Sequence, residues 1–410
     1  MKQKNNFFRR FSLLVIGILS ITEVMANKDF RREYLEQYDS IEVSLLTCSP
    51  HEEIYSLYGH SAIRWHDLRN SEDDVVFNWG MFNFNKPYFV ARFVFGLTDY
   101  ELGVYPYESF WPYYKHWGSS VIEQVLDLTN NEKHRLKEIL SENLKPENKV
   151  YRYNYFYDNC STRPRDMIEK CMEGKVEYAQ RDDYTPSYRD MVHDCARNHA
   201  WAAFGNDMLL GVKADLKTSL REQEFLPENL MYDFDRAKIY ANGEYRPLVK
   251  DRRILVPPGV QIIEKEFPLT PMECACLLLA CSLIVIAFEW KRKKTFRYWD
   301  ALLMLMQGLA GIVLFIMLFS QHPTTSTNLQ ILLLNPLPLI YIPAILRRRT
   351  TRWWMILLIM GILFLFGGIF QHYAEGMIIV ALCLLLRVLI NLKYKASLDR
   401  KSGSAGMPRP

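Results

Sequence analysis

The sequence has little net charge and few histidines arranged as metal ligands. Lysine and arginine total 50 against 46 aspartate and glutamate residues, which gives a formal net charge of +4. So small an excess gives no support for nucleic-acid binding. Four histidines of the central part show no metal-ligand spacing with carboxylates or cysteines: His116, His134, His193 and His199. These four histidines therefore give no support for a metal site.

The N-terminus lacks an apolar run long enough to cross a bilayer. A short apolar stretch, residues 11–21, follows a basic segment and precedes a small-residue site that ends at Ala26. These are the three parts of a secretory signal peptide, which predicts cleavage after residue 26. An uncleaved anchor is the alternative. In both cases the chain from Asn27 onward is exported.

Long hydrophobic runs are also missing between residues 27 and 268, where the chain is mixed, charged and rich in aromatic residues. This part is long enough for one soluble domain with a full core. Residues 269–395 are predicted to form five membrane spans, each close to the ~17–25 residues that cross a hydrocarbon core. Residues 396–410 are predicted to form a tail. The predicted spans are Met272–Phe288, Trp299–Phe319, Leu329–Leu346, Trp353–Phe370 and Met377–Leu392.

Lysine and arginine are distributed unevenly among the loops between these spans. The loops after the first and third spans and the tail after the fifth are basic, whereas residues 321–328 and 371–376 contain neither residue type. Basic loops face the cytoplasm. The alternation predicts a multi-pass protein of the bacterial inner membrane, with residues 27–268 in the periplasm and the C-terminus in the cytoplasm. Arg387, near the cytoplasmic end of the last span, is expected to snorkel.

A histidine and a cysteine of the exported domain are the candidate catalytic pair. Residues 150–157 alternate as in a strand, and the capping and proline residues after Cys160 favour the start of a helix. A thiol at such a junction has a lowered pKa and lies beside backbone N–H groups suited to an oxyanion. Residues 41–46, 60–66 and 75–81 are predicted strands. His60 follows a glycine turn at the start of the second, and histidine is the side chain best suited to act as the base of the thiol.

The alternative for Cys160 is a structural disulfide, since four cysteines lie in an oxidising compartment. If the stretch after Cys160 is helical, Cys171 lies ~16 Å farther along the axis and beyond disulfide reach. A bridge between Cys171 and Cys195 stays open, as does the state of Cys48.

Several motifs resemble those of the Lnb-type lipoprotein N-acyltransferases of Bacteroides-like bacteria. These motifs occur along almost the whole mature chain. The predicted number of spans also agrees with this family. The motifs are GHSAIR at 59–64, FNWGMF at 77–82, YNYFYDNC at 153–160, FGND at 204–207 with FLP at 225–227, and SQHP at 320–323 with Asn328 and the NP pair at 335–336.

The resemblance implies an α+β exported domain of the permuted papain-like type, in which the histidine precedes the cysteine, followed by an all-α domain of five transmembrane helices. NlpC-like and lecithin–retinol acyltransferase-like domains are similar in this order of residues. Cys160 would be the nucleophile and His60 the general base. Asn78 is the preferred orienting residue; Glu53 and Asn159 are alternatives, and Asn159 is also a candidate oxyanion donor.

The implied activity is N-acylation of lipoproteins. An acyl chain would move from a membrane phospholipid, through a Cys160 thioester, to the α-amine of a diacylglyceryl-cysteine. Candidate substrate-binding residues are Arg64, Arg163, Arg165, His322, Asn328 and Asn335. The arginines could instead be solvated, and the polar loop 321–328 could be a plain connector. The aromatic stretch 81–117 could face lipid or form an ordinary core.

Two other functions stay open on the sequence alone. A membrane-anchored cysteine amidase or peptidase, acting on cell-wall or peptide amides with water as the acceptor, would use the same pair of residues. A membrane scaffold whose exported domain binds a partner would need neither of them.

Overall fold

The computed structural model describes residues 35–404 except 71, 83–86, 264, 323 and 350–351. The predicted signal peptide, residues 1–26, and the end of the predicted tail, 405–410, lie outside the described residues. A sheet-rich domain comes first and a helical region with several long apolar helices follows. This arrangement confirms the predicted α+β domain followed by an all-α membrane domain.

The described residues contain ten strands in two antiparallel sheets. The larger sheet has seven strands in the order β10-β5-β1-β2-β3-β4-β6, and the smaller has the order β7-β8-β9. The strands are β1 Ile41–Cys48, β2 His60–Asp67, β3 Asp74–Met81, β4 Asp99–Pro106, β5 Val121–Leu126, β6 Val150–Arg152, β7 Lys175–Glu177, β8 Lys238–Ala241, β9 Glu244–Pro247 and β10 Val249–Val256.

Helices cover both faces of the large sheet. They are α1 Phe89–Val94, α2 Tyr107–Trp117, α3 Asn130–Asn143, α4 Pro146–Lys149, α5 Thr162–Cys171, α6 Tyr188–Cys195, α7 Ala200–Leu209, α8 Leu220–Gln223 and α9 Pro227–Arg236, with 3-10 turns at Ile54–Ser56 and Val212–Asp215. Alternate residues of a strand point to opposite faces. Accordingly Leu45 joins the main core with α3, α5 and α9, whereas Leu46 packs with α2 on the other face.

One predicted strand is shorter than expected. Residues 150–157 were expected to be extended throughout, but β6 ends at Arg152, and a bridge between Asn154 and Asp158 closes a turn. The asparagine explains the turn, because its side-chain oxygen accepts from the backbone N–H groups of Phe156 and Tyr157 at 3.2 Å each. This local bonding competes with strand pairing.

The cysteines that could have formed a bridge are free thiols. Cys171 is fully buried in the main core, whereas Cys195 packs against a separate cluster around Phe156 and Phe225. The Cys171–Cys195 disulfide left open by the sequence is therefore not formed.

The membrane domain contains α10 Pro271–Arg292, α11 Arg297–Met317, a 3-10 turn at Leu329–Leu332 followed by α12 Leu337–Leu346, α13 Trp353–Gly367 and α14 Met377–Ser404. Within the part of the chain that the structure describes, four segments are long and apolar enough to cross a membrane: α10, α11, residues 329–346 and the first part of α14. The fourth predicted span, α13, has 15 residues and is ~22 Å long, less than a ~30 Å hydrocarbon core.

The third predicted span differs from the expectation of one continuous helix. It breaks at residues 333–336, where the Asn335 side chain accepts from the backbone N–H of Leu337 at 3.1 Å. Gly311 of α11 lies directly against the break, because a Cβ there would be 2.2 Å from the Asn335 carbonyl carbon. Only glycine permits this close approach of the two segments.

Arg387 does not snorkel, because its side chain is 1% exposed and forms ion pairs within the helical bundle. Its guanidinium lies 2.6 Å from Glu289 of α10 and 2.8 Å from Asp300 of α11. A buried charge is tolerated only when it is paired and hydrogen-bonded. This ion cluster therefore joins three of the membrane helices.

Candidate active site

The fold holds His60 at the first position of β2. Gly59 precedes it with a φ of 74°, and a Cβ at this position would lie 2.8 Å from the carbonyl oxygen of Cys48. Glycine is therefore required both by the left-handed backbone and by the close packing. The turn delivers the imidazole to the end of the strand, on the side where α5 begins.

Cys160 lies in the turn before α5. The neighbouring Asn159 organises this turn: its side-chain oxygen accepts from the backbone N–H groups of Ser161 and Thr162 at 2.9 Å each. Its amide nitrogen donates to the carbonyls of Tyr155 and Phe225 at 3.0 and 2.9 Å. Both polar atoms of its side chain are used within this turn, so Asn159 shapes the turn that holds Cys160, which differs from the oxyanion or orienting role expected of it.

The thiol of Cys160 and the imidazole of His60 are both half-buried and lie close enough for each to shift the pKa of the other. Burial alone would raise the pKa of Cys160, but the charge of His60 and hydrogen bonds from its ring and from the Ser61 backbone N–H outweigh it and lower that pKa. Burial likewise opposes the charged imidazole, yet the Cys160 charge raises the pKa of His60. The pair therefore favours a thiolate beside an imidazolium.

Asn78 of β3 contacts the far side of the same imidazole. Its side-chain oxygen lies 2.5 Å from Nε2 of His60, and its amide nitrogen donates to the hydroxyl of Tyr105 on β4. Because the Asn78 oxygen can only accept, Nε2 of the neutral imidazole carries the hydrogen. The other ring nitrogen, Nδ1, is then the one available to the thiol. The side chains form a continuous line: Tyr105, Asn78, His60, Cys160.

Glu53, an alternative orienting residue, lies elsewhere. Its carboxylate accepts a hydrogen bond from the hydroxyl of Tyr113 and is 3.8 Å from Nδ1 of His51. The structure thus brings together three of the expected catalytic residues, Cys160, His60 and Asn78, and leaves Glu53 outside that group.

The backbone on the open side of the thiol is formed by Gly80. This residue has a φ of 96°, and a Cβ there would lie 3.6 Å from Cβ of Cys160. The left-handed conformation favours glycine. Backbone N–H groups of Ser61 and of Cys160 itself point toward the sulfur, and donors in this position are suited to a developing oxyanion.

The three arginines expected to bind substrate are held in ion pairs instead. Arg64 is buried, bonds Asp74 through two nitrogens at 2.7 and 2.6 Å, and reaches Glu123 at 2.9 Å. Because it is four residues from His60, it lies ~13 Å along the strand from the site.

The other two arginines belong to α5. Arg163 forms a bidentate pair with Asp158 at 2.6 and 2.8 Å, and Arg165 is buried against Glu224 at 3.0 Å. These contacts use the fork of donors that would otherwise recognise a phosphate. The arginines stabilise the nucleophile helix and do not line the thiol.

The polar residues expected to hold a lipid headgroup join the two domains instead. Asn328 donates to the carbonyl of Met208 at 2.8 Å, and His322 lies 2.9 Å through Nε2 from the carbonyl of Phe93. Asn335 stays inside the membrane domain at the helix break. None of these three contacts the thiol among the described residues.

A buried glutamine strengthens the same junction. Gln330 donates to the carbonyl of Asp207 at 2.7 Å, while its side-chain oxygen accepts from the backbone N–H of Ala374 at 3.1 Å. Gln371 adds a hydrogen bond to the carbonyl of Leu210 at 3.0 Å. The two loops expected on the periplasmic side, residues 321–328 and 371–376, thus dock on the exported domain at α7 and the turn that follows it.

Tyr105, Ser61 and Gly80 are site residues that the sequence reasoning did not single out. Only the register of β3 and β4, with Gly103 opposite Asn78, brings Tyr105 to the Asn78 amide, and the sequence carries no signal for that register. Within the described part of the chain, no group of three or more His, Cys, Asp or Glu side chains has the arrangement of a metal site.

The fold and the site define a class of protein: a multi-pass membrane protein whose sheet-rich periplasmic domain carries a half-buried cysteine–histidine pair. Two family models match it. The Lnb N-terminal periplasmic domain matches residues 28–194, and the Lnb transmembrane domain matches residues 262–397. The chain therefore belongs to the Lnb family, as the motifs indicated. No curated protein and no solved structure matches it.

Proposed function

We propose that this protein is a lipoprotein N-acyltransferase of the inner membrane, with Cys160 as nucleophile, His60 as general base and Asn78 as orienting residue. The observation that carries the proposal is the paired thiol and imidazole, held at a helix start with Asn78 on the far ring nitrogen. Membership of the Lnb family supports it, as does the docking of this domain on the membrane loops.

The first half of the reaction forms an acyl-enzyme. The Cys160 thiolate attacks an ester carbonyl of a membrane phospholipid, and the backbone N–H groups near the sulfur stabilise the oxyanion. The carbonyl–oxygen bond then breaks, and the lysophospholipid leaves as an alcohol after His60 returns the proton. The product of this step is a thioester on Cys160.

The second half uses an amine in place of water. The free α-amine of a diacylglyceryl-cysteine lipoprotein attacks the thioester, His60 accepts a proton from the nitrogen, and the Cys160 thiolate is released. One nucleophile thus serves two bulky lipid substrates in turn, and ping-pong kinetics are expected. No metal, nucleotide or organic cofactor takes part.

The membrane domain gives this chemistry its location. Both substrates are held at the membrane by their own acyl chains. Docking through the loops at 321–330 and 371–374 holds the thiol at a fixed position relative to that surface, which favours transfer by proximity. In this proposal residues 1–26 are removed, residues 27–268 are periplasmic, residues 269–395 span the membrane five times, and the tail from 396 is cytoplasmic.

The test is N-acylation by purified full-length protein in liposomes. Phospholipid and a synthetic diacylated lipopeptide with a free α-amine are supplied, and the mass of the lipopeptide is followed. The proposal expects a mass gain of one acyl chain, lost in Cys160→Ala and retained in Cys195→Ala, a free thiol of the same domain. Release of free fatty acid with no acylated peptide, or cleavage of murein peptides, would favour the amidase-like hydrolase.

A further inference from the structure

We infer that a row of aromatic rings forms the binding track for the acyl chain of the donor lipid, leading from the membrane side to Cys160. The row, called here the aromatic ladder, consists of Tyr153, Tyr100, Phe82, Phe89 and Phe93. The inference rests on the proposed function, and it adds a substrate subsite made of residues that take no part in the chemistry.

The inner end of the ladder lies at the nucleophile. Gly80 packs against Cys160, with a Cβ position 3.6 Å from that of the cysteine, and Phe82 follows two residues later. The ring of Phe82 lies 5.1 Å from that of Tyr100, which stacks on Tyr153 at 4.1 Å. The backbone that borders the thiol thus continues directly into the ladder.

The middle of the ladder is formed by α1. Phe82 stacks on Phe89 with ring centroids 6.0 Å apart, and Phe89 stacks on Phe93 at 6.5 Å. The last two are four residues apart and therefore share one helix face. The cation of the same helix, Arg92, is bonded to Asp99 at 2.6 Å, so its charge is neutralised by strand β4.

The outer end of the ladder reaches a loop between two membrane spans. The ring of Phe93 lies 5.8 Å from that of His322, whose Nε2 is 2.9 Å from the Phe93 carbonyl. Gln321 donates its backbone N–H to the carbonyl of Phe95 at 3.0 Å. Because α11 ends at Met317, only a few residues separate the ladder from the membrane domain.

This continuity favours an acyl chain as the occupant. The two tyrosines of the ladder, Tyr100 and Tyr153, lie within electrostatic reach of Cys160, and its other three rings carry no polar group. Met81, Tyr88 and Phe93 are exposed by 39%, 84% and 44%, and a group of exposed apolar side chains in one segment is a candidate binding surface. A peptide would need backbone partners at regular intervals, whereas an acyl chain needs apolar contact alone.

The experiment compares donors that differ only in chain length. Full-length protein in detergent micelles is given dihexanoyl or dipalmitoyl phosphatidylcholine without acceptor, and the rate of Cys160 acylation is read by intact mass. The variants are Phe89→Ala and Phe93→Ala. The matched control is Phe95→Ala, a ring with nearly the same exposure, 43% against 44%, on a different face of the segment.

The wild type and Phe95→Ala should prefer the palmitoyl donor, and the two ladder variants should lose about tenfold of that preference while keeping hexanoyl transfer. Thermal unfolding verifies the fold, and Phe93→Leu, which keeps an apolar side chain, replaces any alanine variant that unfolds. An unchanged preference, or an equal loss with both donors, would overturn the inference. If no donor acylates Cys160 even in the wild type, the proposed function itself fails.

Discussion

The side-chain oxygen of Asn78 lies 2.5 Å from Nε2 of His60. This contact fixes the imidazole so that its other nitrogen is directed to the thiol, and it joins two adjacent strands of one sheet. An orienting partner that prevents rotation of the base is a general requirement of nucleophile–base pairs. The contact therefore links the antiparallel pairing of β2 and β3 directly to the reactivity of Cys160.

The reactivity of Cys160 should depend on pH through the charge of His60. Because the pKa of Cys160 is lowered, its thiolate persists to lower pH than that of a free thiol, and because the pKa of His60 is raised, its positive charge persists to higher pH. Iodoacetamide alkylation should show a midpoint below the ~8.5 of a free thiol. His60→Ala should raise that midpoint, whereas His66→Ala on the same strand should not. A midpoint unchanged by His60→Ala would contradict the pairing.

Tyr105 should act as a positioning residue. Its hydroxyl accepts from the amide of Asn78, so Tyr105→Phe loosens the orientation of Asn78 without touching the reacting atoms. We expect acylation of Cys160 to slow by about 2- to 10-fold, with a shift in the pH profile of the rate. Tyr107→Phe is the matched control, since its ring instead lies under the guanidinium of Arg64 at 4.0 Å. An equal effect in both variants would show a general loss of stability.

Docking of the two domains should matter for lipid donors and not for soluble ones. Gln330→Ala removes the hydrogen bond to the carbonyl of Asp207, so transfer from liposome phospholipid should fall while acylation by a soluble thioester is retained. The control is Gln307→Ala, because Gln307 is equally buried but bonds Leu333 within the membrane domain. A parallel loss with both donors, or the same donor dependence in the control, would refute this role.

Arg387 should stabilise the membrane domain. Arg387→Met leaves Glu289 and Asp300 buried without their cation, and breaking a buried pair in this way costs about 3–5 kcal/mol. The midpoint of thermal unfolding in detergent should drop clearly. Arg292→Met, at the exposed end of α10, should leave it nearly unchanged. Equal midpoints for the two variants would mean that the buried ion cluster contributes little.

Sequence patterns predicted the elements that carry strong periodicity. The strands at 41–46, 60–66 and 75–81 and the four long apolar segments appear close to their expected bounds. Two predicted elements differ from the structure where an asparagine side chain bonds to nearby backbone. Asn154 turns the chain after β6, and Asn335 breaks the third membrane segment. An asparagine side chain bonding its own backbone is a short-range event that hydrophobic alternation does not register.

The site was predictable to the extent that it depends on chemistry and chain order. His60, Cys160 and Asn78 were expected together and lie together. The ion pairs of the arginines were not predictable, because only the three-dimensional structure brings Glu123 to Arg64 and Glu224 to Arg165. Tyr105 was missed for the same reason, because its role depends on the register between β3 and β4.

The most direct test of the account is the mass of the protein after exposure to phospholipid alone. Full-length protein in liposomes, without acceptor, should gain one acyl chain on Cys160, and a diacylated lipopeptide should then remove it and become N-acylated. His60→Ala should slow the first step by ~10²–10⁴, with membrane insertion intact. Full N-acylation activity in a Cys160→Ala variant, or in protein that never carries an acyl group on Cys160, would contradict the account.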